Sequence, residues 1–420
     1  MASRTTAEDL KIDLDRLKSE ILELACIGRN EEDHGIYRMG FTDADMEARR
    51  WLRKKLDAAG ITSRVDGAAN VFGRWPDGLD TPAVLIGSHL DTVPCGGHLD
   101  GSLGVLVGLE CARVMREAEL DPTHPVEVVA FSDEEGRFGG MFGSQAFAGH
   151  ITPETLFSAR DLNGVLLSDA MQAHGLDPHD ALDAHRDLRT LHAFLELHIE
   201  QGPVLAGKDR QVGVVENITG LFRWSARLLG RANHAGTTPM DMRHDAFLGL
   251  AEFANEIPRV LEENGAENSR ATVGNVSLSP GSANTVPGTA DFSLDVRDTS
   301  PEVLQALHDA FRRALSAIAR RRGLMFEFEE VSRIEPVPCH PDVVNLVDEE
   351  AARLGLNSLR MPSGAAHDAQ ILAGMTRVGM IFVPSKEGRS HSPAEWTTWA
   401  DIEAGANLAL HSLIRLTRGG

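Results

Sequence analysis

The segment VLIGSHLDTVPCGGHLDG, residues 84–101, decides the fold, because a short apolar run leads directly into a polar, glycine-rich loop. Residues 84–86 are continuously apolar, as expected for a strand that is buried on both faces of a parallel sheet. His89 follows where that strand ends, at the carboxyl edge where open α/β sheets bind ligands. The sequence therefore predicts that His89 ligates a metal and that the Asp91 carboxylate orients its imidazole. The alternative is a histidine that only satisfies loop hydrogen bonds.

Further carboxylates favour the metal site. Asp100 lies next to glycine, which lets the backbone bend tightly and bring the carboxylate close to another group. A second apolar run, residues 126–132, is typical of another buried strand, and the acidic run DEE, residues 133–135, follows it. Adjacent glutamates point in different directions, so one of Glu134 and Glu135 can ligate a metal while the other takes the proton of an attacking water. The alternative is that these are solvated loop charges.

The motifs GSHLDTVPCGGHLDG (residues 87–101) and SDEEGRF (residues 132–138) closely resemble those of metal-dependent amidohydrolases of the M20 peptidase clan. The resemblance is to the branch that contains N-carbamoyl-L-amino acid hydrolases, β-ureidopropionases and allantoate amidohydrolases, and it covers nearly the whole chain. It implies an α/β, metallopeptidase-like catalytic domain with a mostly parallel sheet and an inserted ferredoxin-like α+β domain that serves as lid and dimerisation domain. It also implies that Glu134 and Asp91 are catalytic.

Composition sets bounds on the class of protein and its partners. A chain of 420 residues is long enough for two or three domains, and we expect two. The net charge of −21 argues against nucleic acid or an anionic membrane as a partner. Four cysteines without a CxxC pair indicate neither a disulfide framework nor a zinc knuckle. The charged N-terminus without an apolar signal segment predicts a cytoplasmic protein.

Periodicity predicts the elements around these motifs. A helix is expected to begin after Thr42, a suitable N-cap residue. Helices are further expected over residues 7–26 and 104–116, strands over residues 61–65 and 70–75, and a long proline-containing helical stretch over residues 147–187.

A third motif lies in the strand-like segment FLELHIEQGP, residues 194–203. Apolar residues alternate with polar ones, so the strand is expected to bury its leucines and to present His198 on the other face. A lone histidine on a strand is more often a surface residue. HIEQGP, however, is characteristic of the amidohydrolase branch named above, and this resemblance assigns His198 as a ligand of the first metal. Gln201 matches a substrate-contacting glutamine.

Residues 214–330 are predicted to form the inserted domain, because their segments follow the order β-α-β-β-α-β. Residues 1–213 and 331–420 then form the discontinuous di-metal catalytic domain. Three residues of the insertion match substrate-binding residues of the family: His234 in ANHAGTTPM, Asn284 in GSANTVPG and Arg297 in LDVRD. Taken alone, each suits a turn or a surface, although arginine is suited to bidentate recognition of a carboxylate. The resemblance also implies a homodimer formed through the lid domain.

The last motifs lie near the end of the chain. By the resemblance, His391 in SHSPAE, residues 390–395, is the last ligand and binds the second metal. The loop MPSGAAHDA, residues 361–369, matches one that lines the substrate pocket, through Ser363, Gly364 and His367. The alternative is that His391 only marks a helix entry.

The candidate ligands suit two divalent ions that share one carboxylate, with Asp100 as the expected bridge. They are His89, Asp100, Glu135, His198 and His391. Zinc suits these nitrogen and oxygen ligands, and manganese, cobalt or nickel also fit. Resemblance alone makes the substrate a small, carboxylated ureido compound, an N-carbamoyl-L-amino acid that is cleaved to ammonia, carbon dioxide and the amino acid.

Three other functions stay open. Another member of the same branch would act on allantoate or β-ureidopropionate. An aminoacylase or dipeptidase of the wider clan is disfavoured by HIEQGP. A non-catalytic binding module would lack Glu134 or a ligand, and this sequence retains all of them.

Overall fold

The computed structural model describes residues 7–418. Contacts divide the chain into two compact units: the first runs up to Glu216 and resumes at Pro338, and the second is Asn217–Val337. The second unit begins and ends a few residues after the predicted insertion, residues 214–330. In the part of the chain that the structure describes, no helix is long and apolar enough to cross a membrane. The cytoplasmic location stays a prediction.

The helices and strands are numbered in chain order. The helices are α1 (Leu14–Leu24), α2 (Asp43–Ala58), α3 (Ser102–Glu117), α4 (Phe142–Phe147), α5 (Pro153–Ser158), α6 (Leu167–Ala173), α7 (Val204–Gly207), α8 (Ala246–Asn264), α9 (Pro301–Arg322), α10 (Pro341–Arg353), α11 (Asp368–Leu372) and α12 (Trp399–Thr417). The strands are β1 (Thr62–Val65), β2 (Val71–Trp75), β3 (Ala83–His89), β4 (Val126–Phe131), β5 (Leu191–Ile199), β6 (Val212–Ile218), β7 (Gly220–Leu229), β8 (Asn233–His234), β9 (Arg270–Ser279), β10 (Thr285–Val286), β11 (Thr289–Asp298), β12 (Met325–Ile334), β13 (Val337–Pro338), β14 (Ser358–Ser363) and β15 (Arg377–Val383).

The first unit is built on a nine-stranded sheet with a parallel centre. Its strand order is β1-β2-β4-β3-β5-β15-β6-β13, and β14 pairs with β6. The central strands β4, β3, β5 and β15 are parallel neighbours, whereas β1, β2 and β6 pair antiparallel. Strands β3 and β4 are buried at every position, which explains their continuous apolar sequence. The predicted mostly parallel α/β sheet is confirmed.

Capping side chains and prolines set the helix boundaries. Thr42 accepts a hydrogen bond from the Asp45 N–H, so α2 begins where the sequence predicted. The helix expected from residue 7 is wrong at its start, because Asp13 caps α1 at Leu14. The long helical stretch expected over residues 147–187 is also wrong. It is divided into short segments: Pro153 begins α5, and Pro178 begins a 3₁₀ helix, Pro178–Asp183.

The second unit is a four-stranded antiparallel sheet that packs against α8 and α9. Its strand order is β12-β7-β11-β9. The chain order β7-α8-β9-β11-α9-β12 matches the predicted β-α-β-β-α-β pattern. One face of the sheet and both helices form the core, with Trp224, Phe253 and Phe311 at its centre. Strand β11 alternates buried and partly exposed residues, so the other face is polar.

Candidate metal centre

The carboxyl edge of the parallel strands brings together ligand candidates from separate parts of the chain. His89 is the last residue of β3 and is in register with Phe131, the last residue of β4. The acidic run at 133–135 therefore leaves the sheet beside His89. His198 lies near the end of β5, in register with Phe382 of β15.

Two groups of donor atoms share Asp100. Asp100 Oδ1 lies 3.1 Å from His198 Nε2 and 3.6 Å from His89 Nε2, which we call the first cluster. Asp100 Oδ2 lies 3.4 Å from His391 Nε2, which is itself 3.4 Å from Glu135 Oε2, and these form the second cluster. The two oxygens of one carboxylate thus face different clusters, as a ligand that bridges two divalent ions requires.

Main-chain carbonyls orient the two buried imidazoles of the first cluster. His89 Nδ1 lies 3.0 Å from the carbonyl oxygen of Asp91, and His198 Nδ1 lies 2.9 Å from that of Ile199. A carbonyl only accepts, so Nδ1 donates in both rings and Nε2 is the atom that can ligate.

This corrects the role expected of the Asp91 carboxylate. Its Oδ1 is 3.9 Å from His89 Nδ1, which is too far for a hydrogen bond. The main-chain carbonyl oxygen of Asp91 accepts the hydrogen bond from His89 Nδ1 instead, at 3.0 Å. Asp91 Oδ2 instead accepts a hydrogen bond from the Glu135 N–H at 3.0 Å. Asp91 therefore positions the acidic loop rather than the imidazole.

Glu134 lies beside the first cluster but belongs to neither. Its Oε2 is 3.5 Å from His89 Nε2. Burial, followed by repulsion from Glu135, raises the pKa of Glu134 well above its usual range. A carboxyl group beside a candidate ligand and outside both clusters is placed to take part in proton transfer.

The centre has an excess of buried negative charge. Burial and repulsion from Asp100 raise the pKa of Glu135 well above its usual range. Asp100 behaves differently: burial would raise its pKa, but hydrogen bonds with His198 and His391 hold it well below the usual value. The carboxylates that are buried or nearly buried here are Asp45, Asp91, Asp100, Asp133, Glu134, Glu135, Glu196, Asp368 and Glu395. Divalent cations would offset this charge, so the donor set fits a metal centre.

Gln201 and His391 are among the residues of the centre that have left-handed backbone. Gln201 has a φ of 57° and His391 a φ of 54°. This conformation is uncommon for residues other than glycine and occurs preferentially at functional sites. Gln201 Nε2 donates to Asp100 Oδ2 at 2.7 Å, so the glutamine contacts the shared carboxylate. The His391 side chain is half exposed, at 50%.

The loop that follows β14 lies against the first cluster. The His367 ring packs on the His198 ring with centroids 4.6 Å apart, and Ser363 Oγ lies 2.9 Å from His367 Nε2. Burial lowers the pKa of His367 well below its usual value, so the ring is neutral. Gly364 is exposed.

Glu196, His198 and His367 form a third group of donor atoms. Its atoms already have other partners: Glu196 accepts hydrogen bonds from the Ser88 hydroxyl at 2.7 Å and the Ala369 N–H at 3.0 Å. We therefore interpret Glu196 as support for strand β5. The alternation of the sequence places Glu196 on the same face of β5 as His198. In the structure that face is buried, as is the opposite face.

The second unit brings His234 and Asn284 together and separates both from Arg297. His234 pairs with Thr285, and the Ala235 N–H donates to the Asn284 carbonyl at 2.8 Å. Both segments adjoin the end of β11 at which Thr289 lies, whereas Arg297 lies near its other end. At about 3.3 Å per residue, Thr289 and Arg297 are roughly 26 Å apart along the strand. Arg297 Nε donates to Asp295 Oδ1 at 2.9 Å.

Sequence reasoning missed Glu395 and Arg49. Glu395 is buried and accepts hydrogen bonds from the main chain of the Asp100 loop. The buried Arg49 pairs with Asp45 at 2.9 Å and donates to the carbonyl of Phe131, two positions before the acidic run. The available signal for Arg49 was an aspartate and an arginine four positions apart on the buried stripe of α2, Asp45 and Arg49.

A mostly parallel sheet with imidazoles and carboxylates at its carboxyl edge is the arrangement of a metal-dependent α/β hydrolase. The chain belongs to the Peptidase family M20/M25/M40, whose sequence profile matches residues 85–415. The resemblance predicted from the motifs is confirmed.

Similar proteins align over almost the whole chain. The N-carbamoyl-L-amino-acid amidohydrolase of Paenarthrobacter aurescens is 39% identical over 412 residues, 97% of this chain and 99% of that protein. The allantoate amidohydrolase of Bacillus subtilis (strain 168) is 34% identical over 388 residues, 91% of this chain and 93% of that protein. The crystal structure of an amidase of the hydantoinase/carbamoylase family from Burkholderia multivorans has a TM-score of 0.90 and 36% identity, and covers 97% of this chain and 98% of that chain.

Proposed function

We propose that the chain hydrolyses N-carbamoyl-L-amino acids to ammonia, carbon dioxide and the free amino acid. The observation that carries the proposal is Asp100, whose two oxygens face separate donor clusters beside Glu134. The name of the Paenarthrobacter aurescens relative supports the substrate class. The substrate is then a small ureido compound with a carboxylate.

The centre is proposed to hold two divalent ions, zinc first, with manganese, cobalt or nickel as alternatives. His89 and His198 would hold one ion, His391 and Glu135 the other, and Asp100 both. When bound, such ions polarise a carbonyl oxygen and lower the pKa of water.

Glu134 is proposed to move the proton. It takes the proton of the water that attacks the carbamoyl carbon and returns it to the leaving nitrogen. Its position beside the first cluster and outside both supports this role. Asp91 contributes by holding the main chain of Glu135, which fixes the adjacent glutamates relative to each other.

Substrate contacts are proposed for Gln201 and the loop after β14 in the first unit, and for three residues of the second unit. The loop residues are Ser363, Gly364 and His367, and those of the second unit are His234, Asn284 and Arg297. Arg297 would bind the substrate carboxylate through two N–H groups.

A homodimer is proposed in which the second unit is the lid and each active site uses both chains. A small ureido substrate is much shorter than the roughly 26 Å between the ends of β11 that adjoin His234 and Arg297. Residues at both ends can serve one substrate if two chains related by a two-fold axis contribute them.

Ammonia release from a substrate panel tests the function. The chain is loaded with each metal and given N-carbamoyl-L-methionine, N-carbamoyl-β-alanine, allantoate or N-acetyl-L-methionine. We expect ammonia fastest from the first substrate, and at least ~100-fold more slowly from the same substrate with Glu134→Gln as control. Faster ammonia release from allantoate or N-carbamoyl-β-alanine would reassign the chain within its branch. Acetate release without ammonia from any ureido substrate would make it an aminoacylase.

A further inference from the structure

Glu395 connects two of the three parts of the chain that supply the second cluster, the Asp100 loop and the His391 loop. It lies four positions after His391 and is almost fully buried, with 2% exposure. Glu395 Oε1 accepts hydrogen bonds from the main-chain N–H groups of Leu99 at 2.8 Å and Asp100 at 3.1 Å. Its other oxygen accepts from the Ser390 hydroxyl at 2.9 Å. One carboxylate therefore holds the Asp100 loop and the His391 loop together.

Ser390 extends this connection to the shared carboxylate itself. Its Oγ lies 2.8 Å from Asp100 Oδ2 and 2.9 Å from Glu395 Oε2. A hydroxyl carries one proton, so it donates to one of these oxygens at a time. Together with Gln201, which donates to Asp100 Oδ2 at 2.7 Å, it limits where that oxygen can lie.

Gly97 makes room for Glu395. A Cβ atom at Gly97 would lie 2.2 Å from Glu395 Oε1 and 2.5 Å from Glu395 Cβ. The Asp100 loop thus packs its bare backbone directly on the glutamate. Space for a neighbouring carboxylate, rather than a bend, explains the glycine.

We infer that Glu395 is a positioning residue that fixes Asp100 relative to His391 so that one carboxylate can serve both clusters. Asp100 belongs to both clusters, so its displacement alters two sets of ligand distances at once. Hydrogen-bond partners of ligands typically change metal affinity about 10–100-fold when they are removed. The inference rests on the proposed di-metal function but not on the identity of the substrate.

Zinc binding to the metal-free chain tests the inference without any substrate. Glu395→Ala should bind Zn²⁺ about 10–100-fold more weakly in chelator competition. The Leu99 and Asp100 amides of the metal-free variant should exchange hydrogen faster, because their acceptor is gone. Glu395→Gln should restore affinity to near the original value: its carbonyl accepts from both amides and its NH₂ group donates to Ser390 Oγ.

Gly97→Ala disturbs the same contact by changing the Asp100 loop instead of Glu395. It replaces Glu395→Ala as the test variant if Glu395→Ala does not fold. Its added methyl group must displace Glu395, so Zn²⁺ affinity should fall in the same direction. Gly207→Ala is the matched control, because a Cβ there meets nothing within 4 Å. Glu350→Ala is the control for loss of a buried, ion-paired carboxylate away from the centre.

Original zinc affinity in Glu395→Ala, or unchanged exchange of both amides, would overturn the inference. Equal losses of Zn²⁺ affinity in Glu395→Gln and Glu395→Ala would also overturn it, because the negative charge of Glu395 rather than its hydrogen bonds would then determine the affinity. Zinc affinity and amide exchange are measured without ammonia release. A chain that is inactive on every ureido substrate would therefore refute the proposed function but would not decide whether Glu395 positions Asp100.

Discussion

Gly101→Ala should remove the ion of the first cluster. Gly101 has a φ of 62°, and a Cβ there would lie 2.3 Å from His89 Cε1 and 2.4 Å from both ring nitrogens. Ordinary contact begins at 3.4 Å, so the imidazole must move by about 1 Å. Metal–ligand distances tolerate only about 0.2 Å. Gly101 also combines its positive φ with a ψ of −51°, outside the regions open to alanine, which costs at least about 1–2 kcal/mol of stability in addition.

The assay compares metal content, turnover and unfolding free energy with those of Gly175→Ala. Gly175 has a φ of 76° and nothing within 4 Å of an added Cβ, so this control places alanine at a positive φ without a clash. Gly175→Ala should lose about 1–2 kcal/mol of stability. Gly101→Ala should lose more, because its Cβ also displaces the His89 ring. Gly101→Ala alone should bind fewer ions and lose about 100-fold in turnover, since a 1 Å misplacement can cost this much. Full metal content and equal turnover in the two variants would refute the reasoning.

Three further predictions concern the proposed catalytic and substrate residues. Glu134→Gln should keep its metals and turn over at least ~100-fold more slowly, whereas Glu135→Gln should lose metal; the opposite result in metal analysis would reverse the two roles. Arg297→Lys should lower kcat/KM for carboxylated substrates, because lysine cannot make the two-pronged contact; an unchanged preference for acids over their amides would exclude Arg297 from the site. Glu134→Ala and His234→Ala should each be inactive, and co-expression should restore activity by forming one intact site in the mixed dimer. Verified heterodimers without activity would contradict the shared site.

The sequence predicted those features of the centre that depend on strand ends. A buried strand followed by a polar loop is a local pattern, and β3 and β4 do carry His89 and the acidic run to one edge. The same reasoning failed for β5. Alternation predicted one exposed face, but the sheet is covered on both sides, so Glu196 and His198 are buried.

Contacts between distant segments outside the motifs that carry the family resemblance could not be predicted. Glu395 binds the Leu99 amide from 296 residues away, and glutamate in a loop gives no sign of such a partner. Asp91 shows a related limit at short range. Spacing predicted that it would meet His89, but not that its main-chain carbonyl rather than its carboxylate would do so.

Counting metal ions per chain in single-ligand variants tests the account most directly. Elemental analysis would compare the unaltered chain with His89→Ala and His391→Ala, which remove one ligand from the first and the second cluster. We predict two ions in the unaltered chain and about one in each variant, with turnover lost in both. Two retained ions with normal turnover in either variant, or a single ion in the unaltered chain, would contradict a di-metal centre that shares Asp100.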